Sequence, residues 1–102
     1  MNAINRNEQQ ALARAVLEID VNNHAGVMSH VVGLFSRRAY NVDGILCLPL
    51  AGNERSRIWL QVGEDNRLPQ MIRQLEKLED VTSVRRHGGE HPIFANLGEY
   101  FH

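Results

Sequence analysis

The sequence predicts an α+β fold in which strand, helix, strand, strand, helix and strand follow one another, and three observations carry that reading. Leu17, Ile19 and Val21 alternate with Glu18 and Asp20, the pattern of a half-buried strand. Two apolar stripes at helical spacing, one from Gly26 to about Ala39 and one after Glu64, mark amphipathic helices. Between them, two apolar segments flank the polar run Ala51-Gly52-Asn53-Glu54-Arg55-Ser56, which reads as a β-hairpin loop. This is the ferredoxin-like βαββαβ order. Right-handed crossovers then place both helices on one face of a four-stranded antiparallel sheet.

Taken in order, residues 1–13 are expected to form an N-terminal tail, with Glu8 to Ala13 able to make a short helix. The domain proper is expected over 14–87. Its first strand runs from Arg14 to Asn22, and Val27, Val31, Leu34 and Phe35 make the buried stripe of the first helix. A second strand is expected from Asn41 to Leu50, kinked at Asp43-Gly44. The third, Arg57 to Val62, turns Ile58, Leu60 and Val62 inward. Leu68, Met71, Ile72, Leu75 and Leu78 form the stripe of the second helix, with Pro69 in its first turn, where a missing N–H costs nothing. Val81 to Arg86 is the fourth strand, and Gly88-Gly89 ends the pattern. Residues 88–102 read as a C-terminal tail whose Ile93, Phe94, Leu97, Tyr100 and Phe101 should dock on this chain or on a partner. The sheet face away from the helices is expected to show Val16, Ile45, Cys47 and Trp59, too apolar to be left in water.

Composition excludes several classes of protein. A chain of 102 residues accommodates one domain, since a second core would need on the order of 50 further residues. With 43% apolar and 23% charged residues it is neither disordered nor membrane-embedded in character. No apolar run reaches the ~20 residues of a membrane span. The polar start Met1-Asn2-Ala3-Ile4-Asn5-Arg6 lacks the apolar core of a secretion signal, so a cytoplasmic location is expected. A lone cysteine excludes an internal disulfide and suits a reducing compartment. A net charge of −1 supplies no general attraction to nucleic acid.

The chemistry concentrates in the turn Asn22-Asn23-His24-Ala25-Gly26-Val27, between the first strand and the first helix. Helix N-termini carry unpaired N–H donors and a partial positive charge suited to a carboxylate or phosphate. The side-chain amides of Asn22 and Asn23, beside backbone donors at Gly26 and Val27, could grip both ends of a small amino acid. Asn and Gly also recur at such turns simply because they tolerate unusual backbone angles.

The run from Val21 through Ile45, with Gly33-Leu34-Phe35-Ser36-Arg37-Arg38-Ala39-Tyr40-Asn41-Val42 at its heart, resembles the ACT domain of the regulatory small subunit of acetohydroxyacid synthase, also called acetolactate synthase. Ile58-Trp59-Leu60 and Gln70 to Val81 continue the resemblance, which covers about Ala15 to Arg86. It implies a non-catalytic regulatory subunit that binds valine or a related branched-chain amino acid where two ACT domains pair as a homodimer, and that activates and feedback-inhibits a catalytic subunit. Asn23, His24, Ala25, Gly26 and Val27 match the effector loop, with Ala25 where Ser or Pro often stands. Asn41 matches an asparagine that reaches the ligand from the neighbouring subunit. The residues after Arg86 are too few for the second domain of longer relatives, which implies the short form. The partner implied is the catalytic large subunit, which carries thiamine diphosphate, magnesium and FAD, with no cofactor in this chain.

Other candidates carry less. Cys47 lies within a strand with no acid–base partner nearby in sequence and is expected to be a packed thiol. His87 and His91 have a ligand-like spacing, but Gly88-Gly89 and Pro92 disfavour a helix there, so no metal site is expected. His24 could titrate near neutrality. Arg37 and Arg38 suit either the helix C-terminus or a docking surface for the large subunit, and Trp59 is the better docking anchor. The same element order also builds RNA-recognition modules, which need aromatic platforms and a basic face. A small acylphosphatase-like hydrolase would need an arginine beside a phosphate-cradling loop, and no such pairing occurs.

Overall fold

The computed structural model describes residues 14–101. The tail expected at 1–13, with its possible short helix, and His102 lie outside the described residues. The chain forms β1 (Arg14–Asn22), α1 (Val27–Arg37), β2 (Val42–Pro49), β3 (Arg55–Gly63), α2 (Leu68–Glu76) and β4 (Val81–Gly88), followed by short 3-10 turns at Pro92–Phe94 and Leu97–Tyr100. The sheet order is β2-β3-β1-β4, and every pairing is antiparallel. This is the ferredoxin-like architecture that the element order predicts.

The core lies between the sheet and the two helices. Leu17, Ile19 and Val21 of β1 and Ile58, Leu60 and Val62 of β3 face Val31, Leu34 and Phe35 of α1 and Leu68, Met71 and Leu75 of α2. Phe35 and Tyr40 meet edge to face, and the Tyr40 hydroxyl donates to the Gly63 carbonyl, tying the α1–β2 connection to the end of β3. Arg67 lies over the Tyr40 ring at 4.7 Å, and burial pushes the phenol pKa up.

The sheet departs from the sequence reading in four places. The first strand is central rather than half-buried, so Val16 and Glu18 on its second face are buried as well. Leu50 N–H bonds to the Arg55 carbonyl, which tightens the hairpin turn and draws Arg55 and Ser56 into β3. β4 continues to Gly88 because β1 goes on pairing with it as far as Ala15. Ile45 and Cys47, expected on the open face, pair with Leu60 and Ile58 and therefore lie on the helix face. The register shift at Asp43, where the kink was expected, sets this phase, because one extra residue exchanges the faces of everything beyond it. Both residues are exposed, since β2 is an edge strand.

The open face carries a charged centre rather than an apolar one. Glu18 and Asp20 of β1 meet Arg57 of β3 and Arg85 and His87 of β4. Residues 89–101 form a strap whose first part passes over it: of the apolar positions expected to dock, Ile93, Phe94 and Leu97 are half-buried, whereas Tyr100 and Phe101 stay exposed. A side chain at Gly89 would meet the Arg14 carbonyl at 2.5 Å, so only glycine lets the strap leave β4 here. His91 then packs on Trp59, Ile93 lines a groove shared with Leu46 and Leu48, and Phe94 packs on Gly44 of β2.

Candidate functional site

The turn after β1 is held from two sides. Asn22 N–H donates to the Asp80 carbonyl at 2.8 Å, and Asn23 N–H to the Glu54 carbonyl at 3.0 Å. The Asn23 side-chain amide donates to the Asn53 carbonyl at 3.2 Å, and His24 Nδ1 lies 3.0 Å from Asp80 Oδ1. Both side chains thus brace the turn against the hairpin and the start of β4. Asn23, His24, Ala25 and Gly26 are all exposed.

Gly26 occupies the N-cap of α1 with φ +87°, a left-handed conformation that glycine adopts without steric cost. No side chain caps this helix, and no acidic residue lies in its first turn. Val27 packs into the core and its N–H donates to the His24 carbonyl at 3.2 Å, so it is not the open donor expected from the sequence. The first backbone bond bridging the cap is His30 N–H to Gly26 carbonyl, at 3.1 Å. Open donors before it belong to Met28 and Ser29, which sequence reasoning passed over although the orphan donors of any first turn identify them. The result is an exposed, uncapped and partially positive helix N-terminus suited to a carboxylate.

Asn41 is not beside this turn. It precedes Val42, which pairs through Val62 with Ala15, whereas the turn follows the strand end where Val21, Ser56 and Pro49 align. Six strand residues, or ~20 Å, separate the two ends. Within one chain the two parts of the expected effector site cannot meet.

Of the residues expected to dock a partner, Arg37 is exposed and lies over Gly33, 3.1 Å from where a Cβ would stand. Arg38 donates to the Leu34 carbonyl at 3.3 Å, on its own helix's C-terminal carbonyls, and its backbone carbonyl accepts from Arg67. Trp59 is covered by the strap, with His91 and His87 ring centroids 5.0 and 5.7 Å away. One ring nitrogen of each histidine is engaged: His87 Nε2 with Glu18 Oε1 at 2.9 Å, and His91 Nδ1 accepting from Ile93 N–H. The face on which an RNA-recognition module would stack bases is thus occupied by the chain itself. Among the described residues no cluster of His, Cys, Asp and Glu is arranged to hold a metal. Cys47, expected to be packed, is exposed, yet desolvation pushes its thiol pKa up, which makes the thiolate scarce.

A ferredoxin-like sheet with an uncapped glycine turn after its first strand is the architecture of an ACT domain, and comparison with known proteins shows that this is the class to which the chain belongs. Residues 17–83 match the profile described as the AHAS small subunit-like ACT domain. The chain is 52% identical over 86 residues to the acetolactate synthase isozyme 1 small subunit of Escherichia coli K12, covering 84% of this chain and 90% of that one. It is 39% identical over 76 residues to the isozyme 3 small subunit of the same organism, covering 74% of this chain and 47% of that one. The solved acetolactate synthase small subunit of Thermotoga maritima superposes with a TM-score of 0.65 at 30% identity, over 72% of this chain and 46% of that one. The chain belongs to the acetolactate synthase small-subunit family. Its ACT domain is regulatory rather than catalytic.

Proposed function

We propose that the chain binds valine or a related branched-chain amino acid at the interface of an ACT homodimer, and through it activates and feedback-inhibits the thiamine diphosphate-dependent catalytic subunit of acetolactate synthase in the cytoplasm. Thiamine diphosphate, magnesium and FAD belong, in this reading, to that large subunit. The observation that carries the proposal is the separation of Asn41 from the uncapped turn, together with the exposed edge of β2. Two β2 edges pairing antiparallel about a two-fold axis bring the Asn41 end of one chain beside the turn end of the other. Each effector site is then built from two chains. The amino acid's carboxylate meets the donors at Gly26, Met28 and Ser29, and Asn41 of the neighbour supplies a polar contact from the other side.

Binding at such a seam changes how the two domains pack, and a coupling of ~1–3 kcal/mol suffices for strong inhibition of a bound partner. By linkage the catalytic subunit alters effector affinity in the same ratio. Calorimetric titration of the chain with valine, leucine and isoleucine, alongside reconstitution with the large subunit, tests the reading. Binding of one of them with inhibition of the reconstituted enzyme supports it. No binding, and no change in activity on adding the chain, removes it.

A further inference from the structure

Beyond Phe94 the strap has crossed the whole open face, from β4 to the edge strand β2. The residues that follow end in Tyr100 and Phe101, which are 81% and 84% exposed and are the most exposed large apolar side chains among the described residues. On the same face lies an apolar groove of about 330 Å³, whose walls include Leu46, Leu48, Leu50, Trp59 and Ile93. Leu48 on its rim is 71% exposed. The groove runs along the C-terminal half of β2 with the strap's Ile93 in its wall, whereas Phe94 crosses the edge at Gly44 in the N-terminal half.

We propose that these two features are halves of one interface, in which Tyr100 and Phe101 of one copy fill the groove of a second copy across paired β2 edges. The inference rests on the dimer described above. Antiparallel pairing reverses one β2 against the other, so the Gly44 end of one chain faces the Leu46 to Pro49 segment of its neighbour. The open faces of the two sheets are then continuous, and a strap leaving one edge runs directly onto the groove of the other. By symmetry the exchange happens twice. Each aromatic buries ~150–250 Å², so four rings add on the order of 600–1,000 Å² to an interface class that averages ~1,600 Å². Strap exchange would thus supply a large part of the area a stable dimer needs, on the face opposite the effector helices.

The test uses the full chain with Cys47→Ser as background. Chains bearing Leu48→Cys are mixed with chains bearing Phe101→Cys under mild oxidation, and a mixed disulfide dimer is expected. Glu76→Cys, on the helix side, should not link to Phe101→Cys. In sedimentation, Tyr100→Ser/Phe101→Ser should weaken the dimer by about tenfold or more, as loss of central aromatic anchors does. A dimer whose dissociation constant is unchanged by that pair, or a Leu48→Cys/Phe101→Cys chain that links only to itself, overturns the exchange and leaves the dimer reading standing. A chain that remains monomeric at all concentrations overturns both.

Discussion

Arg57 lays its guanidinium across both oxygens of Asp20, Nε to Oδ1 at 2.7 Å and a terminal nitrogen to Oδ2 at 3.1 Å. The same Nε lies 3.2 Å from Glu18 Oε2, so a single arginine holds together two carboxylates that project from one face of β1. Beneath a strap, with Glu18 buried, this pair could not persist without a cation. The Arg57 hydrogen bond holds the Asp20 carboxyl below the usual carboxylate range, and Asp20 in turn raises the guanidinium.

Arg57→Ala should therefore destabilise the fold by about 1–3 kcal/mol at neutral pH, the cost of leaving charged, partly buried acceptors unpaired. Because the folded pKa of Asp20 lies below the unfolded one, its contribution is present above about pH 4 and fades as pH falls through the lower, folded value. The deficit of the variant should shrink over that acidic range. Urea unfolding of both proteins as a function of pH checks it, and a deficit that grows on acidification would contradict the assignment.

Gly44→Val should loosen the strap. A Cβ there would stand 2.9 Å from the Phe94 ring and 3.4 Å from the Gln61 Cβ, although valine suits a strand otherwise. A loss of about 1–3 kcal/mol is expected, with a shift of Trp59 fluorescence as His91 leaves it. Adding Phe94→Ala should cost less than the separate effects sum to, since both changes act on one contact.

Gly26→Asp addresses the turn. No atom lies within 4 Å of a Cβ built at Gly26, so the change costs only backbone strain at φ +87°, of order 1–2 kcal/mol. A carboxylate at the helix N-terminus partly offsets that strain but repels a ligand carboxylate. Amino acid binding in calorimetry should fall at least about tenfold, while thermal unfolding shows a folded domain. Undiminished affinity would move the effector elsewhere.

Cys47 reports on the β2 edge. Its thiol pKa is raised by desolvation, so alkylation by iodoacetamide should be slower than that of a free cysteine and should accelerate as pH rises. If β2 pairs with a second β2, the rate should also fall as protein concentration passes the dimerisation range. A rate independent of concentration would argue against that edge as the interface.

The element order, the stripes that fill the core and the Asp43-Gly44 bulge were legible in the sequence, because these depend on spacing along the chain and on turn chemistry that acts within a few residues, and the family was legible through the resemblance of the Val21 to Ile45 run. The same local turn chemistry located the Asn23 to Val27 turn. The face that each β2 residue occupies emerged from the strand pairing alone, since one bulged residue reverses all that follow. The tertiary structure also showed that Val27 N–H is taken by the His24 carbonyl while Met28 and Ser29 are left open, that Trp59 lies under residues some thirty positions further along the chain, and that Asn41 stands at the far end of the sheet from the turn of its own chain. Those facts depend on pairings between residues distant in sequence, and no local pattern encodes them.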